Sequence, residues 1–223
     1  MGLMHRIDLF ASSIYRTRID EELYNKSELY DIIKRNFLLS PERLSPDINY
    51  PESSFHTYHN NFNNVKFEKL NLEKLIPLYD TEIKKFLNNL SIKVPYKYSY
   101  EIVNINVGKD GWMERHKHLD PENKCQYVFT HYLSFDNLNH PATIFYNNNN
   151  HCQNMYCSKI YRDFLDNIPE HSIHHVNWSL DTYENDMFIF PAYLEHGVLP
   201  KRCNSDKLRI LVAGNIKIEL NKQ

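Results

Sequence analysis

The sequence predicts a mainly β protein, a sandwich or barrel with helices packed on its outside. Three observations predict it. From residue 96 onward, apolar and polar residues alternate with period two in about eight short runs parted by turn residues, as half-buried strands do. Before that point the apolar residues fall at helical spacing. No composition shift marks a linker. Residues 1–223 are therefore expected to form a single domain, with residues 1–95 as helical lead-in and support and residues 96–220 as the β-core.

Taken in order, residues 7–19 alternate loosely and read as a strand. Residues 21–37 carry Leu23, Leu29, Ile32, Ile33 and Phe37, one stripe of a helix. Pro41, Pro46 and Pro51 mark residues 39–51 as a connection, and residues 53–64, polar and aromatic, read as loop. Residues 70–90 are the clearest helix: Leu72, Leu75, Ile76, Tyr79, Ile83, Phe86, Leu87 and Leu90 fall at helical spacing. Asn71 is its expected N-cap, and Pro77 suits a position near its start. Strands are then expected at 98–107, 112–120, 126–135, 141–146, 174–180, 186–191, 196–200 and 207–220. Gly108 and Gly111 bound a turn before the second of these. Residues 147–172 read as a long irregular insertion that opens on four consecutive Asn, a solvated loop.

Hydrophobic residues make up 42% of the chain, enough for a packed core. The formal net charge of -2 gives no electrostatic footprint for nucleic acid or a membrane surface, and neither is expected as a partner. No apolar run approaches a membrane span, and the first residues are too polar for a secretory signal. Cys125, Cys152, Cys157 and Cys203 lack tight metal-type spacing, so reduced thiols and a cytoplasmic location are expected.

The chemistry-bearing stretch is residues 112–120. His116, His118 and Asp120 are each two positions from the next, so in an extended strand all three point the same way. With 12 His in the chain, such a cluster alone would equally suit a solvated edge strand. It gains force from His196 far downstream and from Arg209 beyond that, inside the apolar run Leu208, Ile210, Leu211 and Val212. Two ligands at i and i+2 with a remote His fit a non-haem iron site with open positions. A guanidinium aimed inward from such a strand suits a carboxylate, although pairing with Glu195 or Asp206 is the plainer alternative.

The residues that match a known family are Gly-Trp-Met-Glu-Arg-His-Lys-His-Leu-Asp at 111–120, Tyr-Val-Phe-Thr-His-Tyr-Leu at 127–133, Asp-Met-Phe-Ile-Phe-Pro at 186–191, His-Gly-Val-Leu-Pro at 196–200, and Arg209. Over roughly residues 98–218 the chain resembles the 2-oxoglutarate- and Fe(II)-dependent dioxygenases, the prolyl-hydroxylase-like branch especially. Its first half is more weakly similar to the lead-in of a group of uncharacterised oxygenases of that superfamily. The resemblance implies a double-stranded β-helix (a jelly-roll or cupin-like barrel) with Fe(II), 2-oxoglutarate and O₂ as cofactors. It implies a metal held by His118, Asp120 and His196, and 2-oxoglutarate held by Arg209 with Tyr132 as a partner. The uncharacterised group carries His-x-His where others carry His-x-Asp, so His116 is the alternative to Asp120. A carboxylate ligand suits an open Fe(II) site, and on that ground Asp120 is preferred.

The expected activity is hydroxylation of an unactivated C–H bond of a small-molecule or peptidyl substrate. A cupin-like three-His metalloenzyme without 2-oxoglutarate and a non-catalytic β-barrel binding module are the rivals. Arg115, Trp112 and Tyr127 are the expected substrate contacts. Packing is nonetheless the first reading for Trp112 as for Trp178, and His174 and His175 are read as strand surface.

Overall fold

Long runs in which almost every residue is apolar cannot belong to a sheet with one wet face. Here they lie at the centre of a seven-stranded antiparallel sheet, covered on one face by helices and on the other by a second, four-stranded sheet. This is a computed structural model, and it describes residues 4–9, 12–39, 54–56, 68–108, 113–118, 125–147, 177–201 and 203–221. The strands are β1 (His5–Leu9), β2 (Ser12–Arg18), β3 (Ser54–His56), β4 (Tyr96–Gly108), β5 (Met113–His116), β6 (Tyr127–Ser134), β7 (Ile144–Tyr146), β8 (Asn177–Ser179), β9 (Asp186–Pro191), β10 (His196–Val198) and β11 (Arg209–Leu220). The helices are α1 (Lys26–Leu39) and α2 (Leu75–Asn89). The large sheet runs β1-β2-β9-β6-β11-β4-β3, and the small one β5-β10-β7-β8.

Alternation along the central strands divides the core in two. Phe129, Ile189, Ile210, Val212 and Ile216 face the helices and meet Leu75, Tyr79, Ile83, Phe86 and Leu87 of α2. Each such side chain contributes about 1.5–3 kcal/mol by leaving water. Val128, Tyr132, Phe188, Phe190 and Leu211 face the other way, toward Phe145 of the small sheet. The rings of Phe145 and Phe190 lie 5.0 Å apart, edge to face. Trp178 packs against this second cluster, as expected.

Three expectations about elements need correction. The strand expected over residues 7–19 is a hairpin of two strands, with Ile7 opposite Ile14. Residues 54–56, read as loop, form β3 and pair with β4. Three residues are too few to show a period, and it is the unpaired edge of β4 that selects them. The long helix begins at Leu75 with Lys74 in the capping position, not at Asn71. The Asn71 side chain instead accepts the Glu73 N–H at 3.1 Å, closing a local turn before the helix. Leu39, where the connection at 39–51 was expected to start, ends α1; the rest of that connection, the turn after Gly108, most of the 147–172 insertion and His174 and His175 lie outside the described residues.

Candidate metal centre

His116 and His196 are cross-strand partners of β5 and β10, directly opposite in register. Their ring centroids lie 4.3 Å apart. His118 follows two residues after His116, beyond the end of β5, where its backbone N–H donates to the Ala192 carbonyl at 3.0 Å. Its ring lies 5.2 Å from each of the other two. One nitrogen from each imidazole comes within 4.8 Å of the others. Gly197 makes the strand approach workable: a Cβ there would sit 3.0 Å from the Met113 carbonyl oxygen and 3.2 Å from Arg115 Cα.

All three Nδ1 atoms are already engaged. His116 Nδ1 bonds the Glu114 carbonyl at 2.8 Å, His196 Nδ1 the Leu194 carbonyl at 2.9 Å, and His118 Nδ1 the Asn215 side-chain oxygen at 3.0 Å. A carbonyl oxygen only accepts, so each Nδ1 carries a proton and Nε2 is the nitrogen left to face a metal. Burial, joined by the neighbouring His116 and opposed by Asn215, pulls His118 down to about 4. Burial also takes His196 well below its ordinary value. These two rings are therefore neutral at pH 7, the state in which imidazole binds a metal. The structure brings together His116, His118 and His196. Asp120 and Trp112 lie outside the described residues.

A cavity of about 60 Å³ opens among the three His, Thr130, Thr143, Asn104 and Asn106, with apolar residues such as Met113 and Leu211 completing its wall. Arg209 and Tyr132 are fully buried and stand behind two of those lining residues. Arg209 Nη1 donates to Asn106 Oδ1 at 3.1 Å and Nε to the Pro141 carbonyl at 3.0 Å. Nη2 is buried and has no acceptor among the described residues. Burial pulls the guanidinium below its ordinary value, with Tyr132, its ring 5.7 Å away, pushing the other way. The Tyr132 hydroxyl bonds Thr143 Oγ1 at 2.6 Å and accepts the Thr143 N–H at 3.0 Å. Pairing of Arg209 with Glu195 does not occur; Glu195 pairs with Arg115.

Two expected substrate contacts point elsewhere. Arg115 alternates away from His116, pairs with Glu195 and lies 4.3 Å over the Tyr146 ring. Tyr127 faces the helices, its ring 4.8 Å from Phe86. Sequence reasoning missed Asn106, Thr143, Thr130 and Asn215. Asn215 was within reach: counting by two from Arg209 passes Leu211 and Ala213 and ends on it, on the same face of β11. Asn106, Thr130 and Thr143 have no such marker.

No protein-family model matches the chain, and no curated protein matches it. Solved structures do. A prolyl-4-hydroxylase from Pseudomonas putida aligns with a TM-score of 0.48 at 9% identity, over 92% of this chain and 91% of that one. An oxidoreductase of the 2OG-Fe(II) oxygenase family from Burkholderia pseudomallei aligns at 0.39 and 12% identity, over 99% and 76%. HygX from Streptomyces hygroscopicus, with nickel and 2-oxoglutarate bound, aligns at 0.43 and 12% identity, over 91% and 82%. The chain is similar to these in backbone course; the chemistry that follows is argued from its own side chains.

Proposed function

We propose that this protein is an Fe(II)- and 2-oxoglutarate-dependent oxygenase built on a double-stranded β-helix, hydroxylating an unactivated C–H bond of a small-molecule or peptidyl substrate. One juxtaposition carries the reading: three convergent imidazoles share a cavity with the residues that hold a buried guanidinium for which the described residues offer no carboxylate.

The donor set fits the metal. Three imidazole nitrogens would bind a divalent transition metal and would leave further positions for other ligands, with the usual carboxylate replaced by a third His. His116, His118 and His196 would hold the ion, with His116 in the place for which Asp120 was preferred from the sequence. The surroundings fit the co-substrate. Three neutral ligands leave the full charge of a divalent ion inside the cavity, and Arg209 adds another. A buried guanidinium without a counter-charge is costly, and a dianion would offset it. Arg209 Nη2 is the donor left over for a carboxylate, and Asn106 and Thr143 fix the positions of Arg209 and Tyr132. When bound, iron and 2-oxoglutarate supply the oxidising power, with O₂ consumed and succinate and CO₂ released. The chain's own part is to hold the rings in one tautomer, to orient the acid, and to keep water out with Met113, Val198 and Leu211. A cytoplasmic setting goes with this reading. Among the described residues no helix is long and apolar enough to cross a membrane.

The direct test is succinate formation on adding Fe(II), 2-oxoglutarate and a panel of amino acids and peptides. Absence of both turnover and 2-oxoglutarate binding sinks the proposal. The three-imidazole set also suits a cupin-like metalloenzyme that needs no co-substrate. Arg209→Ala separates the two, because that enzyme would keep its activity and ligand binding.

A further inference from the structure

Unlike Arg209 and Tyr132, Thr130 lines the cavity itself. Its neighbours on β6 face the other way: the Phe129 and His131 rings pack on Tyr79 of α2 at 5.1 and 5.5 Å. Thr130 is 4% exposed, and its Oγ1 has no hydrogen-bond partner among the described residues. Buried hydroxyls are normally paired, so an unpaired one on a cavity wall calls for an explanation.

The sheet around it explains both the lack of a partner and the position. Across the large sheet Thr130 stands between Phe188 of β9 and Ala213 of β11, and neither side chain offers an acceptor. The next row along the same face is Tyr132, Leu211 and Asn106, toward Arg209. The row on the opposite side is Val128 and Asn215, toward His118. Thr130 thus occupies the wall between the imidazole end and the guanidinium end. Ala213 beside it brings only a methyl group, and both residues line the cavity.

We propose that the Thr130 hydroxyl is a ligand contact, donating a hydrogen bond to an oxygen of the carboxylic acid held in the cavity. This rests on the oxygenase reading and adds to it a residue that neither the metal nor the guanidinium requires. An unpaired buried hydroxyl penalises the empty protein and is satisfied only when the ligand arrives. A hydroxyl with a purely structural role would behave in the opposite way.

The test compares wild type, Thr130→Val and Thr130→Ser. Valine keeps the shape and removes the hydroxyl; serine keeps the hydroxyl. Two quantities are measured: the urea midpoint of the metal-free protein, and the Kd of 2-oxoglutarate with Mn(II) present and oxygen excluded. The expected result for Thr130→Val is an unchanged or higher midpoint with about tenfold weaker binding, as the loss of a hydrogen bond to a charged ligand gives. Thr130→Ser should bind within about threefold of wild type. If Thr130→Val binds as wild type does, or if it lowers the midpoint with affinity unchanged, the hydroxyl is structural and the inference is overturned while the oxygenase reading stands. If wild type itself fails to bind 2-oxoglutarate, both fall together.

Discussion

Each imidazole of the cluster has its Nδ1–H committed to an oxygen, but the three oxygens differ in kind. His116 and His196 use the backbone carbonyl two residues back, a bond any sequence could make there. His118 uses the side chain of Asn215, from a strand nearly a hundred residues on. That bond alone can be removed by substitution. Outer partners of this type typically matter 10–100-fold for metal affinity. Asn215→Leu should therefore weaken Co(II) or Ni(II) binding by about that factor, read by competition with a chelating dye, while Asn215→Asp retains it as a stronger acceptor. Unchanged affinity in Asn215→Leu would show that the ring is oriented by packing alone. The ligand set is open to the same measurement. His116→Ala should abolish tight metal uptake and Asp120→Ala should leave it; the reverse pattern would return Asp120 to the metal.

Elements bring these residues together through two close approaches, both at glycine. Gly197 lets β10 run against β5 so that His196 faces His116. Gly214 on β11 lies under the Phe129 ring, where a Cβ would come within 2.2 Å of the ring and 2.5 Å of the Glu101 carbonyl oxygen. The ring covers the glycine and packs on Tyr79, so α2 is seated through this spot. Gly214→Ala should cost about 1–3 kcal/mol or more in urea unfolding, as overpacking does. Gly197→Ala meets backbone atoms instead of a ring. It should loosen metal binding more than it lowers stability, since the strand that must shift carries His196. Equal effects of the two alanines on metal affinity would contradict that division.

At the scale of the whole molecule, the buried histidines make stability depend on pH. His131 sits between the large sheet and α2, its Nδ1 bonded to the Tyr79 hydroxyl at 2.8 Å. Burial, with Lys26 adding to it, lowers its pKa from 6.5 to about 3. Below about 6.5 the unfolded chain takes up a proton that the native chain refuses, so the stability this residue contributes is complete above that pH and declines as the pH falls toward 3. The decline is at most about 1.4 kcal/mol per pH unit for one group. Urea midpoints between pH 7 and 4.5 should fall less steeply in a His131→Phe, Tyr79→Phe double variant than in wild type. A metal that binds only the native state also stabilises it, by about 2.7 kcal/mol at a hundredfold excess over Kd. Adding Ni(II) should accordingly raise Tm, with a further rise on 2-oxoglutarate, and His116→Ala should show neither.

How much of this was legible varies with the range of the forces involved. The chain itself determined the strands from residue 96 onward and the two helices, because period two and period 3.6 are local patterns that burial imposes. Counting by two also put His116 and His118 on one face, and the apolar run around Arg209 marked an inward guanidinium. Only the tertiary structure decided that His196 stands opposite His116, that β3 closes the edge of β4, and that Asn215, Asn106, Thr143 and Thr130 surround the site. Polar residues such as Thr130 and Asn106 carry no period of their own, and a single Asn or Thr reads the same on a surface as on a cavity wall. Their roles come from strand register, which is set by the packing of distant apolar faces and not by the residues beside them.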